Sequence, residues 1–458
     1  MENIRYKTRF LARFVIEAGT PLRVGSGESN FLTDAVVALD ANGLPYIPGT
    51  ALAGVLRHAV GPALADKLFG ESKASGGRGS EVIVSEARMI GEDGKPVDGL
   101  RRIDFDSPFY SHLLTLPVRQ HVRIDHRGAA TDGGKFDGQV VYKGVRFCFE
   151  LEMLGEEPDA EAHFRALVDT VGSTSLRIGG GTRNGFGEIA VRSLQTAVLD
   201  LTQPAHLEAY LAKSASLDDA DWSGWQHDAV AATASADLTI YELRLRPDDF
   251  FLFGSGMGDG SVDMAPVREA IVEWDASGQP HFREGHLLVP ATSIKGALAH
   301  RTAYHYNRLT GRCADGISDE AFASLCDDKN DAVARLFGSE GEQKEGQLVG
   351  QRAGRVMLSD LFLPADSPTE VLSHVRIDPF TGGAQDGALF DERVDFLNAP
   401  LTLKLQLRHD SEAYPEPILT AFEQAMRDVC DGMLPLGGGV NRGHGFFTGK
   451  LIKDGKEI

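Results

Sequence analysis

The chain has 458 residues, of which 42% are hydrophobic and 24% are charged, a balance typical of globular proteins that bury an apolar core. Its formal net charge of −20 excludes indiscriminate binding to nucleic acid, because an acidic surface repels phosphate unless basic residues are gathered on one face. No stretch reaches the roughly 18 uncharged apolar residues of a membrane span, and the N-terminus lacks the apolar block of a signal peptide, so we expect a cytoplasmic protein with no membrane partner.

From the N-terminus, the first half reads as one α+β unit. An opening strand with alternating apolar positions (RFLARFVIEAG) leads into a glycine-rich loop, and a helix is predicted after Pro48, where Pro-Gly-Thr supplies an N-cap hydroxyl. Further strands follow (EVIVSEARMI, GVRFCFELEML), then a second helix (AEAHFRALVDTVG) and the glycine loop IGGGTRNGFGEI. Strands and helices in this order are typical of a split βαβ, ferredoxin-like domain.

The second half repeats these blocks in the same order. PYIPGTALAGVLRHA is matched 242 positions later by LLVPATSIKGALAHR, HVRID recurs verbatim at 121–125 and 374–378, and LGGGVNRGHGFF answers the glycine loop. Chance similarity does not preserve order over such a length, so the sequence predicts a duplicated domain. We expect domains at 1–198 and 237–458, joined by a partly helical linker rich in Ala, Ser and Asp at 199–236.

The set of motifs, taken together, resembles a known family. A GSG loop followed by an acidic residue, a Pro-initiated helix, HVRID with a trailing Phe-Asp and a terminal GGG loop resemble the RAMP superfamily, most closely the RNA-binding backbone subunits of type III, Csm/Cmr-like CRISPR effector complexes. Two units in one chain resemble the double-copy subunits of III-D-like systems. The resemblance implies two tandem ferredoxin-like (RRM-like) domains with inserted thumb-like hairpins, and guide RNA (crRNA), complementary target RNA and other effector subunits as partners.

The two glycine loops have few side chains, so their backbone N–H groups could approach a phosphate or another backbone closely. Their glycines are Gly179, Gly180 and Gly181 in the first half and Gly437, Gly438 and Gly439 in the second. Arg183 and Arg442 add positive charge, and the resemblance implies that both loops shape the guide-RNA groove. The alternative is a tight turn packed on its neighbour; neither loop is a P-loop, because no GK[ST] follows.

The Pro-initiated helices point N-terminal N–H donors outward, which suits an anionic backbone. The expected phosphate partners on or near them are Arg57, Lys295 and Arg301. Ala53 stands in the first half where the second has Lys295, which weakens the expected RNA grip there. Alternatively, the small residues of these helices serve only close packing against the sheet.

The HVRID segments lead into glycine-rich loops that predict extensions rather than core strands. The resemblance implies that each extension is a thumb that wedges into the guide–target duplex, with Phe136 and Phe390 taking part. Arg123 and Arg376 could contact RNA phosphate. The alternatives are that the aromatic rings anchor each loop to its own domain and that each arginine pairs with the aspartate ending its HVRID motif.

The resemblance also implies a catalytic acid between the GSG loop and the Pro-initiated helix, needed for metal-dependent cleavage of target RNA. Asp34 fits in the first half, where it could hold a divalent cation (Mg²⁺ or Mn²⁺, bound only with RNA) or orient the attacking 2′-hydroxyl. In the second half, Asp263 resembles the acidic position by the GSV that precedes it. Glu269 instead lies six residues before Asp275, the same spacing as Asp34 before Asp40. We favour Asp263, and the second copy could also be inactive.

Two other functions stay open at this point. Recurrent histidines on the helices (His58, His300) and in HVRID (His121, His374) could support metal-free cleavage, as in a guide-processing endoribonuclease. A scaffold that binds RNA without cutting it is the other. The four cysteines are too few and scattered for a disulfide framework or a metal knuckle.

Overall fold

A computed structural model describes residues 6–29, 33–71, 76–125, 128–155, 158–230, 237–344, 347–409 and 413–458. The fold is mixed α+β, and every strand pairing that joins two named strands in these ranges is antiparallel. Such sheets are compatible with ferredoxin-like domains, and the predicted α+β class is confirmed. Within the same ranges, no helix combines the length and the apolar character needed to cross a bilayer.

The first half and the segment after it contain the following described elements. The strands are β1 (Thr8–Ala18), β2 (Tyr46–Ile47), β3 (Val82–Val84), β4 (Ala87–Met89), β5 (Val118–Ile124), β6 (Ala130–Gln139), β7 (Arg146–Gly155), β8 (Ile189–Asp200) and β9 (Gln226–His227). The helices are α1 (Gly49–Ala59), α2 (Pro62–Phe69), α3 (Pro108–Leu113), α4 (Ala160–Val171) and α5 (Pro204–Ala212).

The second half is built in the same way, with more small strands. Its strands are β10 (Leu238–Pro247), β11 (Arg268–Trp274), β12 (Pro280–Val289), β13 (Gly338–Ser339), β14 (Glu342–Lys344), β15 (Gln347–Val349), β16 (Arg352–Ala353), β17 (Val356–Leu358), β18 (Leu361–Leu363), β19 (Thr369–Ile377), β20 (Ala384–Asp395), β21 (Leu401–Arg408), β22 (Phe447–Lys453) and β23 (Lys456–Glu457). Its helices are α6 (Ala291–Leu309), α7 (Asp319–Cys326), α8 (Asp331–Leu336) and α9 (Glu416–Cys430), with a 3₁₀ turn at Val440–Arg442.

The opening strand of each half is the centre of its main sheet. β1 lies between β7 and β8, and β10 lies between β21 and β22, so the two halves share one strand order. In β10 alternate residues such as Leu243 are buried, because one face of the sheet packs on its own helices. In β1 residues 10–14 are all buried: Phe14 lies in the core on the helix side, and Leu11 packs on the opposite face of the sheet. Each half therefore has its own hydrophobic core.

Two hairpins stand apart from these sheets. β5 pairs only with β6 and β19 only with β20 among the described strands, each pair forming a separate two-stranded ladder. The HVRID motifs form β5 and β19. Apolar side chains on both hairpins are exposed, including Val122, Ile124, Val375 and Ile377. The hairpins thus extend beyond the cores, as the thumb prediction required.

The segment between the halves is partly helical and covers the outer face of the first sheet. Trp222 and Trp225 pack with Leu199 of β8, and β9 adds a strand beside β8. Residues 231–236 of the predicted linker lie outside the described ranges. The division into 1–198, 199–236 and 237–458 stays a prediction.

The β11–β12 hairpin of the second half packs against the first half. Val272 joins the first hydrophobic core, and its N–H donates to the carbonyl oxygen of Lys143 at 2.8 Å. The indole Nε1 of Trp274 donates to the carbonyl oxygen of Gly144 at 2.8 Å, and the Arg146 guanidinium lies 4.2 Å from the Trp274 ring centroid. The two halves therefore share a packed junction as well as a linker.

Candidate nucleic-acid interface

Asp34 and Asp263 occupy equivalent positions at the bases of the two thumbs. The backbone N–H of Asp137 donates to Asp34 Oδ2 at 3.0 Å, and that of Asp391 donates to Asp263 Oδ2 at 2.8 Å. Both donors are the aspartates of the Phe-Asp pairs that end the repeated thumb motif. Both acceptor residues are exposed. Each half thus presents one carboxylate to solvent beside its thumb.

Glu269, the other candidate of the second half, lies elsewhere. It is on β11 and pairs with Arg119 of the first half, whose Nη2 is 2.8 Å from Glu269 Oε2. Burial raises the pKa of Glu269, although Arg119 acts in the opposite direction. The sequence did hold a signal for Asp263: Asp34 and Asp263 are 229 positions apart, the same separation as Gly25 and Gly254 of the two GSG loops.

The thumb aromatic rings stack on the histidines of HVRID. Phe136 faces His121 across β5–β6, and Phe390 faces His374 across β19–β20, each pair with ring centroids 4.9 Å apart. Phe136 remains 41% exposed, so its ring is both held by its own hairpin and accessible. Burial, with Arg119 and another arginine nearby, lowers the pKa of His121 to about 4, so this imidazole is neutral at neutral pH.

The thumb arginines are exposed. Arg123 Nη1 is 2.9 Å from Glu340 Oε2 of the second half, an ion pair between exposed side chains. Arg376 is exposed and makes no ion pair with the described residues. Asp378 instead accepts hydrogen bonds from the N–H groups of Phe380 and Thr381 at the thumb turn. Of the two thumb arginines, Arg376 is therefore the one without an ion pair among the described residues, and it is available to an anionic ligand.

The glycine loops are packed turns. The N–H of Gly180 donates to the carbonyl oxygen of Arg23, and that of Gly438 to the carbonyl oxygen of Leu252, both at 2.7 Å. The glycines before them have φ of 90° and 91°, and a Cβ there would lie 2.5 Å from the same carbonyl oxygens. These contacts require glycine, and they engage the central N–H of each loop inside the domain.

The two loop arginines are not equivalent. Arg183 corresponds to Asn441, one position before Arg442. Arg183 Nε donates to the carbonyl oxygen of Gly354 in the second half at 2.5 Å. Arg442 instead pairs with Glu392 at the base of its own thumb, with Nη2 2.5 Å from Oε2. The first loop therefore docks on the second half, whereas the second loop docks on its own thumb.

Two of the three predicted helix cations are engaged within their own domains. Arg57 donates to the carbonyl oxygen of Gly70 and pairs with Asp66 at 2.5 Å. Arg301 pairs with Asp428 on α9. These contacts give both arginines a role in fastening helices to their surroundings, and any contact with phosphate would have to compete with a carboxylate.

Lys295, the third predicted helix cation, is not paired in this way. It is half-buried in the first turns of α6 and has no hydrogen bond or ion pair to any described residue. Burial, together with the neighbouring Arg183 guanidinium, lowers the pKa of Lys295 to about 8. A half-buried ammonium without a counter-ion next to a second cation is a site that an anion would stabilise.

Further cations surround Arg183 at this junction. Burial, Arg408 and Arg355 all lower the pKa of Arg183. A cavity of about 870 Å³ lies there between the halves. Its lining includes Arg177, Arg183 and Arg408 together with Asp169 and Asp237, and Lys295 is not one of the lining residues. Sequence reasoning missed Arg355 because its counterpart in the repeat is Glu81, so comparison of the halves pointed away from a cation there.

The candidate acids do not form a complete metal site by themselves. Asp34 and Asp137 lie together, but in the described ranges they are not part of any group of three metal-ligating side chains. The same holds for Asp263 and Asp391. Carboxylate oxygen is a donor that Mg²⁺ and Mn²⁺ prefer, so a cation there would take its other ligands from RNA and water.

Comparison with known proteins supports the duplicated architecture. The model of the family described as the RAMP superfamily matches residues 15–190 and again residues 277–448. Each match covers the greater part of one half, in agreement with the shared strand order. No curated protein matches the chain.

Proposed function

Because the chain belongs to the RAMP superfamily, whose members bind RNA and act in CRISPR complexes, we propose that it is a guide-RNA-binding backbone subunit of a cytoplasmic type III effector complex. Its tandem RAMP domains would hold the backbone of the guide and leave its bases free to pair with complementary target RNA. We further propose that it cuts this target endonucleolytically at each thumb.

The cationic junction is the observation that carries the binding proposal. Lys295 and Arg183 come from different halves, and Lys295 has no counter-ion among the described residues. A phosphate placed between them would restore the pKa of Lys295 and offset its desolvation. This local site also explains how a chain with a net charge of −20 can bind RNA, since the attraction is confined to one junction.

Cleavage is supported by the geometry at the thumb bases. Asp34 and Asp263 are exposed carboxylates beside hairpins that carry accessible aromatic rings. A ring that stacks on a displaced base would turn the adjoining phosphodiester toward the carboxylate, which could accept the proton of the 2′-hydroxyl. A divalent cation held by Asp34 or Asp263 would supply charge neutralisation at the phosphate.

Target cleavage by the assembled complex tests this proposal. Guide RNA and end-labelled complementary RNA are supplied with Mg²⁺ or Mn²⁺, and wild type is compared with Asp34→Asn, Asp263→Asn and the double variant. Asparagine keeps an oxygen for the N–H of Asp137 or Asp391 while removing the charge. We expect two cuts, one lost in each single variant and both in the double variant.

The other outcomes identify the alternatives. Two cuts that persist in the double variant would contradict the catalytic assignment. An intact target with bound guide would indicate a scaffold without nuclease activity. Cleavage of repeat RNA in EDTA would indicate a guide-processing endoribonuclease that uses its histidines.

A further inference from the structure

The base of the second thumb contains a cluster of potential metal ligands. Glu392, on β20, is fully buried, and its Oε1 lies 2.8 Å from His374 Nε2 and 3.0 Å from His444 Nε2. His374 is on β19 and His444 belongs to the glycine loop, so three segments meet here. The three ligand atoms all lie within 4.8 Å of one another, and this is the one such group in the described part of the chain.

The RAMP fold does not require this cluster. In the first half the corresponding residues are His121, Gly138 and Phe186, which supply one imidazole and no carboxylate. There, His121 meets the edge of Phe186 with ring centroids 5.9 Å apart. The second half instead buries a carboxylate, which costs free energy unless charged or hydrogen-bonding partners compensate. Here Arg442 and the two imidazoles are those partners, so a metal ion would have to compete with the guanidinium for the carboxylate.

We propose that His374, Glu392 and His444 bind a divalent transition-metal ion of the zinc class. Two imidazole nitrogens and one carboxylate oxygen, with a fourth position left for water, are a ligand set typical of Zn²⁺. With bonds of about 2.0–2.1 Å, tetrahedral ligands lie about 3.3 Å apart, so the two nitrogen–oxygen distances of 2.8 and 3.0 Å would need to lengthen by only a few tenths of an ångström. The two imidazole nitrogens lie within 4.8 Å of each other and would have to reach the same separation. Each imidazole would carry its proton on Nδ1 when Nε2 holds the ion.

This site is distinct from the candidate catalytic positions and does not depend on the proposed nuclease activity. Asp34 and Asp263 offer oxygen alone and are exposed, whereas the cluster is rich in nitrogen and mostly buried. His374 is the most exposed of its three ligands, with 27% of its side chain accessible, and it marks the side from which an ion would enter.

Arg442 competes with the ion for the same carboxylate. Its Nη2 is 2.5 Å from Glu392 Oε2 and its Nε is 3.1 Å from Oε1. An ion on Oε1 would leave the guanidinium only Oε2 or displace it altogether, because like charges repel in a buried site. Since Arg442 also lies over the Phe390 ring at 5.5 Å, metal binding would act on the thumb as well. Neutralising Arg442 should therefore tighten metal binding.

Calorimetric titration of the full untagged chain with ZnCl₂, in the absence of RNA, tests the site, with Co²⁺ absorption as a report on its ligands. We expect one ion per chain. His444→Phe, which installs the first-half residue, and Glu392→Gln, which keeps the side-chain shape, should each weaken binding at least about 100-fold. Arg442→Gln should tighten it at least about tenfold. His281→Phe, at an exposed histidine of β12 outside the cluster, is the control and should leave binding unchanged.

Three results would overturn the proposal. The first is a failure of both wild type and Arg442→Gln to bind Zn²⁺. The second is binding of Zn²⁺ to His444→Phe and Glu392→Gln as tight as to wild type, which would place the ion elsewhere, for example on cysteine. The third is weaker Zn²⁺ binding by Arg442→Gln, which would mean that the guanidinium stabilises the site and does not compete with the ion for Glu392. Circular dichroism of each variant confirms that loss of binding is not loss of folding.

Discussion

Replacing Arg119 with leucine, the residue that stands at the matching position of the second half (Leu372), should loosen the junction between the halves. Arg119 is 6% exposed. Its guanidinium pairs with Glu269, and its Nη1 is 3.1 Å from Asp360 Oδ2, so one side chain of the first half serves two carboxylates of the second. The substitution keeps an apolar stem but leaves both carboxylates buried without their shared cation.

The expected loss follows from that burial. Removing one partner of a buried ion pair costs about 3–5 kcal/mol, because the remaining charge has lost its compensation. Arg123→Leu is the matched control on the same strand. Arg123 is exposed and pairs with exposed Glu340, and such surface pairs contribute about 1 kcal/mol or less.

The loss should also depend on pH. Burial raises the pKa of Glu269 and of Asp360, while Arg119 opposes that rise. Without Arg119 both values should rise further. A carboxyl whose pKa is higher in the folded protein stabilises the fold at low pH, and this stabilisation is lost as pH increases through the folded-state value. The deficit of Arg119→Leu should therefore be larger at pH 8 than at pH 5.

Urea denaturation of wild type and both variants at pH 8 and pH 5 measures these differences. We expect a loss of about 3–5 kcal/mol at pH 8 for Arg119→Leu, a smaller loss at pH 5, and little change for Arg123→Leu at either pH. A deficit of less than about 1 kcal/mol, or one that does not change with pH, would refute the reasoning that this ion network holds the halves together.

Three further predictions concern RNA. Lys295→Gln should weaken guide binding about tenfold and reduce the slope of log affinity against log salt concentration by about one, as measured by fluorescence anisotropy. Equal affinities of wild type and variant would contradict the site. Since burial and Arg183 lower the pKa of Lys295 to about 8, the affinity of the wild type for guide RNA should fall between pH 7 and pH 9. The affinity of Lys295→Gln should show no such fall. Phe136→Ala should slow target cleavage at the first thumb, at a cost of about 1–3 kcal/mol for the lost stacking, without weakening guide binding; an unchanged cleavage rate would remove Phe136 from the mechanism.

Much of the fold could be predicted because duplication leaves its record in the order of motifs. The opening strands, the Pro-initiated helices, the thumbs and the glycine loops all appear twice in the sequence and twice in the structure. Asp263 is favoured by the GSV that precedes it, and the equal separation of 229 residues between the GSG loops and between Asp34 and Asp263 is a second signal for the same choice. Features that both halves share were therefore accessible without coordinates.

Features that only one half has were not accessible in this way. Arg119, Glu269 and Asp360 are far apart in the sequence, and no repeat links them. Glu392 is matched by Gly138, so comparison of the halves gave no reason to single it out. Local patterns report periodicity and turns, whereas these contacts depend on which surfaces meet in the folded chain.

The same limit applies to several predicted RNA contacts. Arg57 and Arg301 lie on the helices where the motifs placed them, yet each is held by a carboxylate of its own domain. Lys295 carries the same kind of charge and has no such partner among the described residues. A sequence shows that a cation is present, but only the packed structure shows whether a carboxylate of the same protein already pairs with it.

Photo-crosslinking of a 4-thiouridine guide RNA to the intact chain, with the linked peptides identified by mass spectrometry, shows whether guide RNA contacts the junction of Lys295 and Arg183. We expect crosslinks at the first turns of α6 around Lys295 and in the adjoining glycine loop 179–187, and their loss at high salt. Crosslinks confined to the outer faces of the two sheets, with none at this junction, would contradict this expectation.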